Sequence, residues 1–398
     1  MSVARNTQVQ SQTHDHPTRT PPEPSSRCTR ITSLDGLRGL AALVVVLSHC
    51  FWAYGTTVKT VTIGSYTEAN PAQWLTAYTP AHLVWLQVQP VLVFFILSGY
   101  VLTRPYLRTP RPTYRAYYGS RFLRLLLPSM IALLLAFWVA LLWVHQVDGH
   151  TDSFWLNQYL RQDLSPAALN NILIVTGTPE VLPVLWSLKW EILFSLLLPL
   201  YVLAARLCTH RVVWILAALL TLGMFTAGTV THSLPLAMLP VFFLGSLLAA
   251  REDALRNLAT RIPRLVQLPL VIATVLALGT EWYVRGFTAE RIPLWTGHVI
   301  SLVACAALVV AAIAYRPFAN FLNTRWMSWL GSRSFSLYLV HFPFVVGVGA
   351  WAHGRSLWLV LGLAIPLSLL ATEVFYRAIE RPSTALSQRV KRALRTTG

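Results

Sequence analysis

Polar and apolar positions in this chain come in blocks. Residues 1–30 are polar, rich in Pro, Thr, Ser and Gln, and predict a disordered tail. From residue 37 onward, apolar runs alternate with short polar links. Ten runs lie near 37–54, 81–103, 125–144, 181–205, 212–230, 234–250, 265–284, 294–314, 327–349 and 357–376. Each is long enough to cross a bilayer, or nearly so, given about 20 residues per crossing. Several contain Pro or Gly, which membrane helices tolerate. The expectation is an all-α, polytopic integral membrane protein of about ten transmembrane helices. No apolar core precedes residue 37, so no signal peptide is expected. There is no internal repeat. The membrane domain is expected over 31–385, with a basic tail over 386–398.

Composition agrees. A soluble domain carries about 25% charged residues; this chain of 398 residues carries 12%, with 55% hydrophobic residues and 15 Trp. The net charge of +17 fits either a nucleic-acid binder or the cytoplasmic loops of a membrane protein. Placement decides between them. With a cytoplasmic N-terminus, 24 of the 32 basic residues fall on the inside, 5 outside, and Arg38, Lys189 and Arg333 in or at spans. The positive-inside rule therefore expects both termini in the cytoplasm and an even number of spans, in a cell membrane. Nucleic acid is not an expected partner, and membrane lipid is. Of the 32 basic residues 29 are Arg, which suggests a GC-rich bacterial genome. The longest outside loop, about 145–180, is acidic (Asp148, Asp152, Asp163, Glu180). Cys28, Cys50, Cys208 and Cys305 show neither zinc-site nor disulfide spacing, and no metal is expected.

Ionisable groups inside spans are where function is sought. The first span opens as "LDGLRGLAALVVVLSH" (34–49). Arg38 and His49 are eleven residues apart, about three turns, so they share a face at roughly 16 Å separation along the axis. The pair suits a long ligand with an anionic head and a reactive tail. Spacing alone equally allows Arg38 to snorkel to lipid phosphates while His49 bonds a neighbouring helix. In "YRAYYGSRFLRLLLP" (114–128), Arg121 and Arg124 stand near one another at the inner start of the third span. Clustered guanidiniums bind phosphates; the same charge could also serve topology or anionic lipid. In "LWSLKWEILFSLLLP" (185–199), Glu191 lies inside the fourth span, sharing a face with Ser187 but not Lys189. A buried Glu needs a partner or a proton, and a structural bridge to Lys189 or Arg38 would serve. In "LGSRSFSLYLVHFP" (330–343), Ser334, Tyr338 and His341 line one face of the ninth span. Ser98 and Gly99 in "VFFILSGY" (93–100), and "FFLGSLLA" (242–249), suggest close helix packing. Glu373 lies near the end of the last span, and Glu380 in "IERP" (379–382) is expected in a surface ion pair. No HExxH, Walker A, GxSxG or GxGxxG occurs, and Cys50 points away from His49.

These stretches, in this order and over about 31–385, resemble the motifs of the acyltransferase family 3 membrane proteins. The resemblance implies a multi-pass O-acyltransferase. It would take an acyl group, acetyl foremost, from acyl-CoA as co-substrate, with no bound cofactor. Acceptors in the family are hydroxyls of carbohydrates or glycosylated molecules: exopolysaccharide, O-antigen, peptidoglycan, nodulation factors and macrolide sugars. It implies Arg38 and His49 as the essential pair, with Arg121, Arg124, Glu191 and His341 in support. Arg38, Arg121 and Arg124, with Ser98 and Tyr338, would bind acyl-CoA; His49 would act as base, oriented by Glu191 or His341. Whether His49 is itself acylated first stays open. Some relatives carry a fused esterase-type domain after the last span; none is seen here, so a second extracytoplasmic transfer is not expected. Two positions depart from the pattern, Ser195 and Ser129–Met130, where aromatics are common; neither is expected to touch a catalytic role. A proton-coupled transporter and a polysaccharide-assembly scaffold are the rival readings. Acceptor, acyl length and oligomeric state are not legible.

Overall fold

The computed structural model describes residues 30–62, 70–109, 114–144, 151–160, 181–287 and 294–396. Those residues are overwhelmingly helical, with no strand among them. The long helices are α1 (Thr32–Ala53), α2 (Gln89–Leu107), α3 (Arg115–Val144), α4 (Leu185–Leu207), α5 (Arg211–Val230), α6 (Leu234–Ala250), α7 (Arg264–Ala277), α8 (Leu294–Ala314), α9 (Arg325–Trp351), α10 (Leu357–Phe375) and α11 (Arg381–Thr396). By length and apolar composition, 8 helices can cross a membrane, or up to 10 if two bent pairs each count as one span. The outer faces carry bulky apolar side chains such as Leu135, Leu219, Leu268 and Trp358, the surface that lipid requires.

Small residues set how the helices meet. Gly39 of α1 abuts Gly331 of α9, and Ala53 meets Gly349 toward the other ends. The two helices therefore run in the same direction. A Cβ at Gly39 would stand 2.4 Å from the Gly331 nitrogen, and one at Gly331 would stand 2.3 Å from the Asp35 carbonyl oxygen. Only glycine allows this approach. Helices α2 and α6 are parallel too: Gly99 and Gly245 face each other's backbones, and Thr103 and Ser246 share a hydrogen bond of 2.8 Å. Parallel pairs of first with ninth and second with sixth are what alternating spans require.

Three spans differ most from the hydropathy reading. The second begins at Gln89 rather than 81; Pro90 sets its first turn, and Pro80–Trp85 form a separate 3-10 turn. The third starts at Arg115, not 125, so its first turns overhang the apolar stretch. The sixth ends at Ala250, as the hydropathy places it, and there the chain turns by 72° into helix Glu252–Arg261. That turn is held by the Glu252 carboxylate, gripped by Arg104 (2.6 Å) and Arg256 (3.0 Å). The seventh breaks after Ala277, bending by 62° into Thr280–Phe287. Beyond α10, a π-turn over Tyr376–Glu380 leads into α11. Helix α11 lies along the first turns of α3: Ser383 donates to the Leu123 carbonyl (3.3 Å), and Val390 and Leu394 face Gly119. The tail expected to be disordered lies outside the described residues but for Arg30, as does most of the acidic loop 145–180. Cys50, Cys208 and Cys305 are buried free thiols.

Candidate active site

The register of α1 on α9 builds the centre of the site. Gly39 sits opposite Gly331, and ten residues on along both helices His49 sits opposite His341. His49 Nδ1 and His341 Nε2 are 2.9 Å apart. Arg38, one residue before the glycine contact, reaches a turn along α9, and its Nε donates to Ser334 Oγ at 3.0 Å. Its Nη2 meets Asp35 at 2.9 Å, and the guanidinium stays 35% exposed. Arg38 and His49 thus occupy one seam, as the helical spacing predicts.

The histidine tautomers follow from their partners. His341 Nδ1 lies 2.8 Å from the Leu337 carbonyl, which can only accept. His341 therefore carries its proton on Nδ1 and offers a lone pair at Nε2. His49 Nδ1 must then be the donor across the 2.9 Å contact, which leaves the lone pair of neutral His49 on Nε2. His341 is fully buried, whereas His49 is only half-buried. The arrangement is a base with an orienting second histidine.

The remaining candidates fall into two neighbouring groups. Tyr338 donates to the Val184 carbonyl (2.9 Å) and shares a 2.7 Å hydrogen bond with Ser187, so its hydroxyl ties α9 to α4. Glu191 accepts from Ser98 at 3.0 Å and pairs with Arg121. Of the two orienting candidates, His341 alone reaches His49. Glu191 bridges to Arg121, rather than to Lys189 or Arg38; Lys189 instead lies over the Trp190 ring at 5.8 Å. Ser195 receives a 3.3 Å bond from Arg121 Nε. Its side chain thus helps hold one of the candidate phosphate-binding arginines. Arg124 faces Arg38, Arg121, Glu191 and Glu380, and it is solvent-exposed. Among the described residues it makes no hydrogen bond and no ion pair. Of the three arginines, Arg124 faces its carboxylates without a direct hydrogen bond or ion pair among the described residues.

Glu380 corrects an expectation. It is 5% exposed rather than on the surface, and it accepts from Ser336 N–H (3.1 Å) and Oγ (2.5 Å). The π-turn at 376–380 swings this carboxylate inward against α9. Glu373 pairs with Arg333 and with Arg377, the latter at 2.5 Å.

Sequence reasoning did not single out Trp155. It comes from helix Phe154–Leu160, between α3 and α4, and stacks on His49 with centroids 5.6 Å apart. Phe342 packs edge-on against the same imidazole at 5.6 Å. Nothing in the local sequence of this acidic loop marks a residue bound for the imidazole of His49.

Comparison with known proteins agrees with this architecture. The acyltransferase 3 family, described as an acyltransferase domain, matches residues 31–377. The O-acetyltransferase OatA of Staphylococcus aureus is 26% identical over 386 aligned residues, covering 88% of this chain and 57% of that protein. The peptidoglycan O-acetyltransferase OatA of Listeria monocytogenes is 20% identical over 388 residues, covering 88% and 55%. The chain thus spans little more than half the length of these relatives. No solved structure matches.

Proposed function

The chain belongs to the acyltransferase 3 family, and on that premise we propose that it is a membrane O-acyltransferase moving an acetyl group from acetyl-CoA to a hydroxyl of a cell-envelope glycan. The names of its bacterial relatives support the acetyl group and the glycan class. The observation that carries the chemistry is the His49–His341 contact, which leaves the Nε2 lone pair of His49 free as a base.

The Arg38 end of the bundle faces the cytoplasm, in keeping with the basic residues gathered on that side. There Arg38 and Arg124, with Arg121 behind them, bind the coenzyme A phosphates through charge-assisted hydrogen bonds. The flexible arm runs along the α1–α9 seam and brings the thioester to His49. The acceptor hydroxyl gives its proton to His49 Nε2 as its oxygen attacks the thioester carbonyl. The C–O bond forms, the C–S bond breaks, and the leaving thiolate takes the proton back from His49. His341 holds the imidazole in the right tautomer throughout, as an orienting group does in acyl-transfer triads. Apolar walls keep water from competing for the thioester.

The test uses purified protein in nanodiscs, following thiol release from acetyl-CoA. His49→Ala is expected to lose about 10²–10⁴ in rate, the usual worth of general-base help. Arg38→Ala should raise the acetyl-CoA KM. Undiminished thiol release by His49→Ala would overturn the mechanism, and its absence from wild type across acyl donors and glycan acceptors would overturn the function.

A further inference from the structure

In an acyl-transfer triad the charge that develops on the histidine faces a carboxylate. Here the chain of hydrogen bonds from His49 passes through His341 and ends on the neutral Leu337 carbonyl. Among the described residues, His341 is the one titratable group facing His49 electrostatically. Among the described residues the imidazolium therefore forms without an anionic partner.

We propose that Trp155 takes that place, its indole face stabilising the His49 imidazolium by a cation–π interaction. The inference rests on the reading of His49 as the base. The stacked centroids lie 5.6 Å apart with planes inclined by 23°, within the roughly 6 Å over which such attraction acts. The contact is held from both sides. Ser153 donates to the Trp52 carbonyl at 2.9 Å, fixing the start of the short helix to the end of α1. The Asp152 N–H bonds the His353 carbonyl at 2.9 Å, fixing it to the end of α9. Ser153 Oγ also accepts from the Leu156 N–H, capping the first turn, and Leu156 packs between Ala53 and Gly349. The two helices that carry His49 and His341 thus also hold the tryptophan. Its position is tied to the base, as a group acting through that base must be. Trp155 is a positioning residue rather than a catalytic one.

The experiment replaces Trp155 with mono-, di- and trifluorotryptophan by site-specific incorporation. Fluorine drains the ring face of negative potential while nearly preserving its shape. In substrate-free protein in nanodiscs, NMR of labelled histidine, assigned with His49→Gln, gives the His49 pKa; thiol release from acetyl-CoA gives kcat. Both should fall stepwise with fluorination. Trp155→Leu should lower the pKa by about one unit and kcat by roughly tenfold or more. A pKa that stays flat across the fluorinated series, even with Trp155→Leu inactive, would mean the ring only fills space, and the proposal falls. The titration needs no turnover. Failure of the acyltransferase reading would appear separately, as wild-type protein that shows a normal series but releases no thiol.

Discussion

The close backbone approach of α9 to α1 makes the sharpest prediction. Gly331 of α9 presses against α1, where an added Cβ would stand 2.3 Å from the Asp35 carbonyl oxygen and 3.0 Å from the Gly36 nitrogen. Both neighbours are main chain in the first turns of α1, so no side chain can rotate away. In Gly331→Ala the helices must separate by about 1 Å to restore ordinary contact. Misplacement on that scale can cost about 10²-fold in rate, and overpacking of this kind typically costs about 1–3 kcal/mol of stability. The strain sits three residues before Ser334, the partner of Arg38, and ten before His341. The assay is thiol release from acetyl-CoA beside thermal unfolding in the same nanodiscs. Gly362→Ala on α10 is the control, since a Cβ there meets nothing within 4 Å. Gly331→Ala should fall about 10²-fold in kcat with a lowered Tm, while Gly362→Ala stays at wild type. A Gly331→Ala protein with unchanged kcat and Tm would refute the claim that this contact sets the geometry of the two histidines.

Other consequences follow from neighbouring residues. His341→Leu removes the acceptor that holds the His49 tautomer and should cut kcat by about 10²–10⁴, with His341→Gln retaining more because its amide oxygen can accept from Nδ1; steady-state kinetics separate them. Arg124→Ala should raise the acetyl-CoA KM roughly tenfold, the worth of one charge-assisted hydrogen bond, with kcat nearly unchanged, and a KM that did not move would remove Arg124 from the phosphate site. His82 lies outside the spans, buried between Trp85 and Trp282, and burial pushes its pKa down to about 3. The unfolded chain binds a proton there as pH falls below about 6.5 while the folded chain does not, so stability is full above that pH and declines by up to about 1.4 kcal/mol per pH unit toward pH 3. His82→Phe should flatten that slope in a thermal-shift series.

Much of the architecture was legible in one dimension because the bilayer imposes a length. A helix must stay apolar for about 20 residues, and those runs stand out whatever packs against them. The boundaries were less legible. Hydropathy does not register that Pro90 restarts a helix or that the seventh run bends by 62° after Ala277, and although it ends the sixth run at Ala250 it gives no sign of the sharp turn there, where three arginines converge on one carboxylate. Glu380 was misread for a related reason: a π-turn adds a residue to the turn, and the side chain expected outside points inward.

The same division runs through the site. Arg38 and His49 belong to one helix, and eleven steps of about 100° bring them to one face without help from any neighbour. That relation was determined by the sequence alone, as were the arginines gathered near one end of the bundle. The pairing of His49 with His341 joins residues 292 apart. It depends on two glycines placing α1 beside α9 in a single register, and with it come the tautomers and the identity of the basic nitrogen. The grip of Glu191 on Arg121, the lack of a direct ion pair at Arg124 and the tryptophan over the base arise in the same way. Periodicity fixes an angle about one helix axis. Only packing decides which other helix that angle faces.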